Sequence, residues 1–288
     1  MKAWLAALFA VFSCLAAAQG FPSKPLRILV PFPPGSGTDV AARALAEHLQ
    51  RDLGQPVVVD NRPGGNSVIA TEAAARAETD GQTLPLTTDF HSINAAFGLR
   101  LPYDSLADFA FVARASTSPL MLVAHPDAGV KTLAAVAAAK AAPGKLSFAS
   151  LGSSSPHHLG FEWFKRMAGI DMLDVPYKGG GPALAVTGPQ RAAVAPEVPT
   201  FAESGYPQFV LLNWYGILAP RATPREAVAR FNGSIVAALK GTEVPARLAG
   251  AGVDAAPSTP EELEQWVRED IARYRRIIEL TGARPEGR

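Results

Sequence analysis

The stretch Leu26-Arg27-Ile28-Leu29-Val30-Pro31-Phe32-Pro33-Pro34-Gly35-Ser36-Gly37-Thr38-Asp39 decides the fold. Its first five residues form a short β-rich run. Residues 31–35 make a turn that neither helix nor strand can cross. Beyond it Val40, Ala41, Ala44, Leu45 and Leu49 recur at helical spacing, and Gly54 stands just past the end as a stop signal. Two similar units follow. Pro56-Val57-Val58-Val59 is a second strand, Asn61-Arg62-Pro63-Gly64-Gly65-Asn66 a second Gly/Pro turn, and 70–77 an alanine-rich helix. Thr83-Leu84-Pro85-Leu86 reads as a third strand. Proline removes a ladder donor, so Pro85 is expected to place that strand at an edge or to distort it. Strands alternating with helices predict a parallel sheet with right-handed crossovers, and ligands at the carboxyl ends of its strands. The loops at 31–39, 61–66 and 87–91 all lie at that edge.

Gly35-Ser36-Gly37-Thr38-Asp39 enters a helix. Its glycines leave backbone N–H groups uncovered where the helix N-terminus carries partial positive charge, which makes an anion site. A tight βα turn capped by Thr38 or Asp39 fits the same residues. A phosphate-binding P-loop would need Gly-Lys-Ser/Thr, and no lysine follows the glycines. A dinucleotide fingerprint would need a third small residue where Val40 stands.

A second group of loops lies in the middle of the chain. Leu120-Met121-Leu122-Val123-Ala124 is a strand ending at His125-Pro126, and 132–141 is a helix. Lys145-Leu146-Ser147-Phe148-Ala149 is a strand opening into Ser150-Leu151-Gly152-Ser153-Ser154-Ser155-Pro156-His157-His158, and 159–167 is helical. Residues 172–177 form a further strand before Lys178-Gly179-Gly180-Gly181. Near the C-terminus, Tyr215-Gly216-Ile217-Leu218-Ala219-Pro220 is a strand. Thr223-Pro224-Arg225-Glu226 and Thr259-Pro260-Glu261-Glu262 each read as a capping box with proline at the first helical position. Arg268, Arg273, Arg275 and Arg276, interleaved with Glu269 and Asp270, read as a solvated helix face.

Lys2 precedes an uncharged apolar run that ends in Ala16-Ala17-Ala18. A charged start, a short apolar middle and a small-residue exit describe a secretory signal peptide over residues 1–18. Acylation at Cys14 is the rival reading, and Val11-Phe12-Ser13 fits a lipobox poorly. The chain has 288 residues, 48% hydrophobic and 18% charged, which suits about two folded domains rather than a disordered chain. With Lys+Arg 27 against Asp+Glu 26 there is no basic excess for a nucleic-acid backbone. One cysteine excludes a disulfide framework and a cysteine zinc site. Ser153, Ser154 and Ser155 lie beside His157 and His158, but the second glycine of a nucleophile elbow is missing, so no hydrolase is read here. The histidines lack metal-ligand spacing: His48 sits on a helix face, and His125 reads as structural.

Further landmarks follow in order: Leu101-Pro102-Tyr103-Asp104, Pro143-Gly144-Lys145-Leu146, His158-Leu159, Val175-Pro176-Tyr177-Lys178-Gly179 and Pro196-Glu197-Val198-Pro199-Thr200. With the opening stretch from Pro25 and the 61–66 turn, they resemble the extracytoplasmic solute-binding receptors of tripartite tricarboxylate transporters, the Bug or TctC family, over residues 22–282. The resemblance implies an α/β, two-lobed type II periplasmic-binding-protein fold, with parallel or mixed sheets flanked by helices. Lobe 1 would span 19–119 and 213–288, and lobe 2 would span 120–212. It implies a periplasmic, monomeric receptor that is not an enzyme and carries no cofactor or metal. Its partners would be a small organic carboxylate and membrane permease subunits. Carried over, Phe32, Pro33, Gly35, Ser36, Gly37, Thr38 and Asp39 form the first ligand loop, with Thr88, Asp89 and His91 near it. Ser150, Gly152, Ser153, Ser154, Ser155, His158, Tyr177, Lys178 and Gly179 form the second group.

The chain departs from that pattern at one place. The family continues from Pro182-Ala183-Leu184 through a helix, a strand, a loop and another helix before a strand ending in Ala185-Val186-Thr187-Gly188. Here Leu184 abuts Ala185, so roughly thirty residues are missing, more than one βα unit. Lobe 2 is therefore expected to be short of a strand and a contact loop. A family member that no longer binds or docks is the alternative function. An enzyme, or the sensor domain of a transcription factor, ranks behind both.

Overall fold

The computed structural model describes residues 21–138, 144–150, 152–174 and 183–285. The strands are β1 (Leu26–Val30), β2 (Val57–Asn61), β3 (Thr83–Thr88), β4 (Phe109–Pro119), β5 (Met121–Val123), β6 (Ser147–Phe148), β7 (Leu173–Asp174), β8 (Ala183–Val186), β9 (Leu212–Pro220) and β10 (Asp254–Ala255). The helices are α1 (Gly37–Leu53), α2 (Val68–Ala75), α3 (Asp89–Ala96), α4 (Leu133–Ala137), α5 (Pro156–Ala168), α6 (Arg225–Lys240), α7 (Glu243–Gly250) and α8 (Pro260–Thr281).

Six strands form one sheet in the order β10-β4-β9-β3-β1-β2. β1 pairs in parallel with β2, from Leu26↔Val57 to Val30↔Asn61, and with β3, from Arg27↔Thr83 to Leu29↔Pro85. The three opening βα units are therefore as the hydrophobic periodicity predicts. β9 then runs antiparallel to both β3 and β4, which makes the sheet mixed. β3 is central, which corrects the first of the two alternatives drawn from Pro85, an edge position. The Arg27 N–H donates to the Gln82 carbonyl. In a parallel ladder alternate residues face the same neighbour, so the Pro85 nitrogen points away from β1. On its other side the ladder with β9 begins only at Leu86↔Ile217. Proline thus occupies a position where no ladder donor is required.

Alternate side chains of β1 serve two apolar layers. Ile28 and Val30 pack with Leu45, Leu49, Leu84, Phe231 and Ile235, under α1 and α6. Leu29 packs on the opposite face with Ile93, Phe109, Trp214, Leu263 and Tyr274, under α3 and α8. Thr259 caps α8 with a full capping box: its Oγ1 accepts from the Glu262 N–H at 3.1 Å, and its own N–H donates to Glu262 at 2.8 Å. The similar motif at Thr223 does not form. Pro224 adopts an extended ψ of 137°, so it becomes the N-cap itself and α6 starts one residue late.

The remaining strands make two separate pairs. β5 pairs antiparallel with β8, and β6 pairs in parallel with β7. An aromatic cluster holds this region, with Phe164 at 5.2 Å from Phe201, Phe201 at 4.4 Å from Phe209 and Phe148 at 4.3 Å from Phe161. β8 crosses the Leu184–Ala185 junction, so Ala183 and Leu184 are strand residues and not the start of a helix. Thr187 ties the two chain segments that join the regions. Its hydroxyl accepts from the Leu120 N–H at 2.8 Å and donates to the Leu211 carbonyl.

Candidate functional site

The parallel register brings the ends of β1, β2 and β3 to one edge of the large sheet, and the three loops predicted there emerge side by side. In the first, Ser36 is the N-cap of α1: its Oγ accepts from the Asp39 N–H at 3.2 Å and its carbonyl from the Val40 N–H at 2.9 Å. The Gly37 and Thr38 N–H groups, the first two of the helix, have no intrahelical acceptor. Asp39 is buried and builds the frame of the loop. Its carboxylate accepts from the Gly35 N–H, Asn61 Nδ2 and Arg43 Nε, each at 2.9 Å. Burial alone would raise its carboxyl, but these bonds, led by Arg43, outweigh that and hold it below the usual range. Asn61 also donates to the Phe32 carbonyl at 3.0 Å. Phe32, Gly35, Ser36, Gly37, Thr38 and Asp39 are thus one rigid piece, with Asp39 turned into its frame. Gly35 has φ +83°, which a side chain rarely adopts.

Tyr215, on β9 opposite Thr88, completes the floor. A Cβ on Gly37 would stand 3.2 Å from its hydroxyl oxygen. No sequence spacing links residue 215 to residue 37; only the antiparallel β3–β9 pairing does. The second loop holds Asn66 at φ 50° and Ser67 at φ 75°, two adjacent non-glycine residues in the left-handed region. Such strain concentrates at ligand loops. Asn94 Nδ2 of α3 fixes the Asn66 carbonyl at 2.9 Å. The Gly64-Gly65-Asn66 run was the one signal for it.

In the third loop Thr88 caps α3, and Phe90 comes to 6.0 Å from Phe32 of the first loop. Asp89 is wholly buried. Desolvation first, then the nearby Asp270, push its carboxyl well above the usual range. His91 is buried in the core. Its Nε2 meets the Ser105 carbonyl at 2.8 Å, and its ring lies 6.0 Å from Tyr103 and 5.5 Å from Phe109. Burial lowers it to about 4, so the imidazole is neutral.

In the small-sheet region Ser155 caps α5 by accepting from the His158 N–H at 3.1 Å. The Gly152 N–H donates to Ser150 Oγ at 3.2 Å, and Gly152 itself has φ +108°. Ser150, Ser154 and Ser155 are buried. α5 packs against α3 and α8, and its Leu159 enters the Ile93–Trp214 layer of the large sheet. Ser150, Gly152, Ser153, Ser154, Ser155 and His158 therefore gather at a helix N-terminus that abuts α3. Tyr177, Lys178 and Gly179 lie outside the described residues.

Comparison with known proteins places this arrangement. The chain is 35% identical to BugT of Bordetella pertussis over 302 aligned positions, covering 93% of this chain and 92% of BugT. Among solved structures, an R. palustris protein with adipate superposes with a TM-score of 0.83 at 28% identity, covering 92% of this chain and 99% of that one. MatC from Rhodopseudomonas palustris, with bound malate, superposes with a TM-score of 0.77 at 27% identity, covering 90% of this chain and 100% of that one. The sequence profile described as "Tripartite tricarboxylate transporter family receptor" matches in two segments, 41–185 and 182–283. The match breaks at the junction, and residues 182–185 fit both sides of it. Over the BugT alignment, 93% of 288 residues is about 268, so about 34 of its 302 positions have no counterpart in this chain. With the profile matched across both sheet regions and a relative aligned over nearly its whole length, this chain belongs to the tripartite tricarboxylate transporter receptor family.

Proposed function

We propose that the protein captures a small organic carboxylate at the edge of the large sheet and presents it to a membrane permease. The observation that carries this reading is the N-terminus of α1. Two N–H groups without intrahelical acceptors sit in a loop immobilised by Asp39 and Asn61. The carboxylates named with two solved relatives, adipate and malate, support the ligand class. Phe32, Pro33, Gly35, Ser36, Gly37, Thr38 and Thr88 form the first contact surface. Asp39, Asp89 and His91 shape it from behind. Ser150, Gly152, Ser153, Ser154, Ser155 and His158, with Tyr177, Lys178 and Gly179, supply the facing group. Residues 19–119 with 213–288, and 120–212, are the two lobes that close. The receptor is a monomer with no enzymatic activity, exported by a signal peptide over residues 1–18. Among the described residues no helix is long and apolar enough to cross a membrane.

Titration calorimetry of the purified protein against mono-, di- and tricarboxylates tests this. At least one should bind, and Gly37→Val should weaken it markedly. A flat response to all of them favours the second reading, a family member that has lost binding. The observation behind that reading is the break at 182–185, which coincides with a region of two-stranded sheets.

A further inference from the structure

Three consecutive residues of the second loop are left-handed: Gly65 at φ +57°, Asn66 at +50° and Ser67 at +75°. Chirality admits glycine, and now and then asparagine, to this region as single residues, and makes a run of them costly where side chains are present. Burial does not impose the turn, because Gly64, Gly65 and Asn66 are exposed. Hydrogen bonds must hold it. The Thr71 hydroxyl donates to the Ser67 carbonyl at 2.8 Å, a bond within the first turn of α2 that fixes the helix rather than the residues before it. The Val68 N–H donates to the Gly65 carbonyl, which is equally local. The bond that reaches the turn from elsewhere in the chain is that of Asn94 Nδ2 to the Asn66 carbonyl, at 2.9 Å. Asn94 is wholly buried on α3, so its amide is a fixed point.

The turn stands at the same sheet edge as the α1 N-terminus. Its loop leaves β2 tied to the first loop: the Arg62 N–H donates to the Val30 carbonyl at 2.7 Å, and Asn61 Nδ2 donates to the Phe32 carbonyl and to Asp39. From there the chain crosses to the other face of the sheet. α1 covers the layer of Ile28 and Val30, whereas Ala74 of α2 belongs to the layer of Leu29. Neighbouring parallel strands whose helices diverge to opposite faces leave a crevice outside their carboxyl ends, and ligands bind there in sheets of this kind. The α1 N-terminus stands on one side of that crevice and the left-handed turn on the other.

We propose that the exposed turn at 64–66 is a further ligand-contact element of the carboxylate site, and that Asn94 behind it is a positioning residue that holds it in its left-handed form. The proposal rests on carboxylate capture at this edge. Strain of this kind persists only where the surroundings over-determine it, and it gathers where a ligand uses the shape. Freed from Asn94, the turn relaxes. Only the fraction of molecules that keeps the left-handed form then binds, and affinity falls by that fraction. Glycine at 66 and 67 makes the same form accessible without the clamp.

The test uses the full chain with succinate, malate, adipate and citrate as probes. Asn94→Ala and the similarly sized Asn94→Leu both delete the donor. Each should weaken the tightest-binding probe at least about tenfold and speed amide exchange at 65–70 by a similar factor. Adding Asn66→Gly and Ser67→Gly to Asn94→Ala should restore affinity to within about threefold of the unmutated protein. The same glycine pair alone should leave affinity unchanged, and the saturating probe should slow exchange at 65–70. A merely structural asparagine would lower the melting temperature while affinity held, and the glycine pair would not rescue it; either result overturns the proposal. Exchange at 65–70 that ignores the bound probe removes the turn from the contact surface and overturns it too. If the unmutated protein binds none of the four, the ligand reading fails and exchange alone decides the clamp: unchanged exchange at 65–70 in both Asn94 variants would sink it.

Discussion

β3 and β5 are both short apolar strands, yet the fold treats them in opposite ways. β3 lies between β1 and β9, and Leu84, Pro85, Leu86, Thr87 and Thr88 are all buried. Among the described residues β5 has a single partner, and two of its three side chains are more than one-third exposed. Local sequence made both strands. What differs is the number of neighbours, and burial follows from neighbours. A strand covered on both sides protects its ladder and adds apolar area to the core. A strand with one neighbour leaves half its backbone groups to other partners. The large-sheet region therefore has a complete core on both faces of its sheet, while the small-sheet region relies on its aromatic cluster.

The largest effect should come from completing the smaller region. Amide exchange should be at least about a thousandfold faster in β6 and β7 than in β1 and β3, in line with sub-global opening. Inserting a family-like segment of about 34 residues between Leu184 and Ala185 should close most of that gap, read by exchange mass spectrometry, and leave β1 and β3 unchanged. Equal protection in the protein as it stands, with one cooperative transition, would break the comparison.

Acid should act on the large region through His91. Its folded value of about 4 lies below the unfolded 6.5, so the unfolded chain takes up the proton first. The stability it confers is complete above pH 6.5 and is lost as pH falls from 6.5 towards 4, by about 3 kcal/mol in total. Denaturant midpoints across that window should show the loss, and His91→Gln should flatten it. An unchanged acid limb in that variant would remove His91 from the account.

Gly37→Val should weaken carboxylate binding by about 2 kcal/mol, since a side chain there meets the Tyr215 hydroxyl and covers the α1 N–H groups. Calorimetry reads it, and wild-type affinity would move the site elsewhere. The smallest effect sharpens the comparison most. Ser155→Ala and Thr259→Ala each delete one cap bond of 3.1 Å, worth about 1 kcal/mol. Thr259→Ala should lower the global melting temperature, whereas Ser155→Ala should speed exchange in α5 alone. Equal shifts in the global transition would mean that the regions unfold together.

The sequence by itself determined what depends on neighbours along the chain. Its Gly/Pro turns placed the loops, periodicity marked β1, α1 and β2, Thr259 announced its cap, and the spacing of motifs identified the family. The missing segment was legible as two motifs brought together. Contacts between distant residues were not. Nothing near Pro85 says that the β9 ladder starts one residue later, or near Thr223 that Pro224 takes over the cap. Residues 109–119 carry no turn signal to announce the longest strand of the sheet. Asp39 reads as a ligand contact until Asn61 and Arg43 converge on it, and His91 as a site residue until Ser105, Tyr103 and Phe109 enclose it. Ala183 and Leu184 could begin a helix or a strand, and pairing with β5 chose the strand. Tertiary structure decided these because burial and hydrogen-bond partners belong to pairs of residues far apart in sequence, and only the closed sheet brings those pairs together.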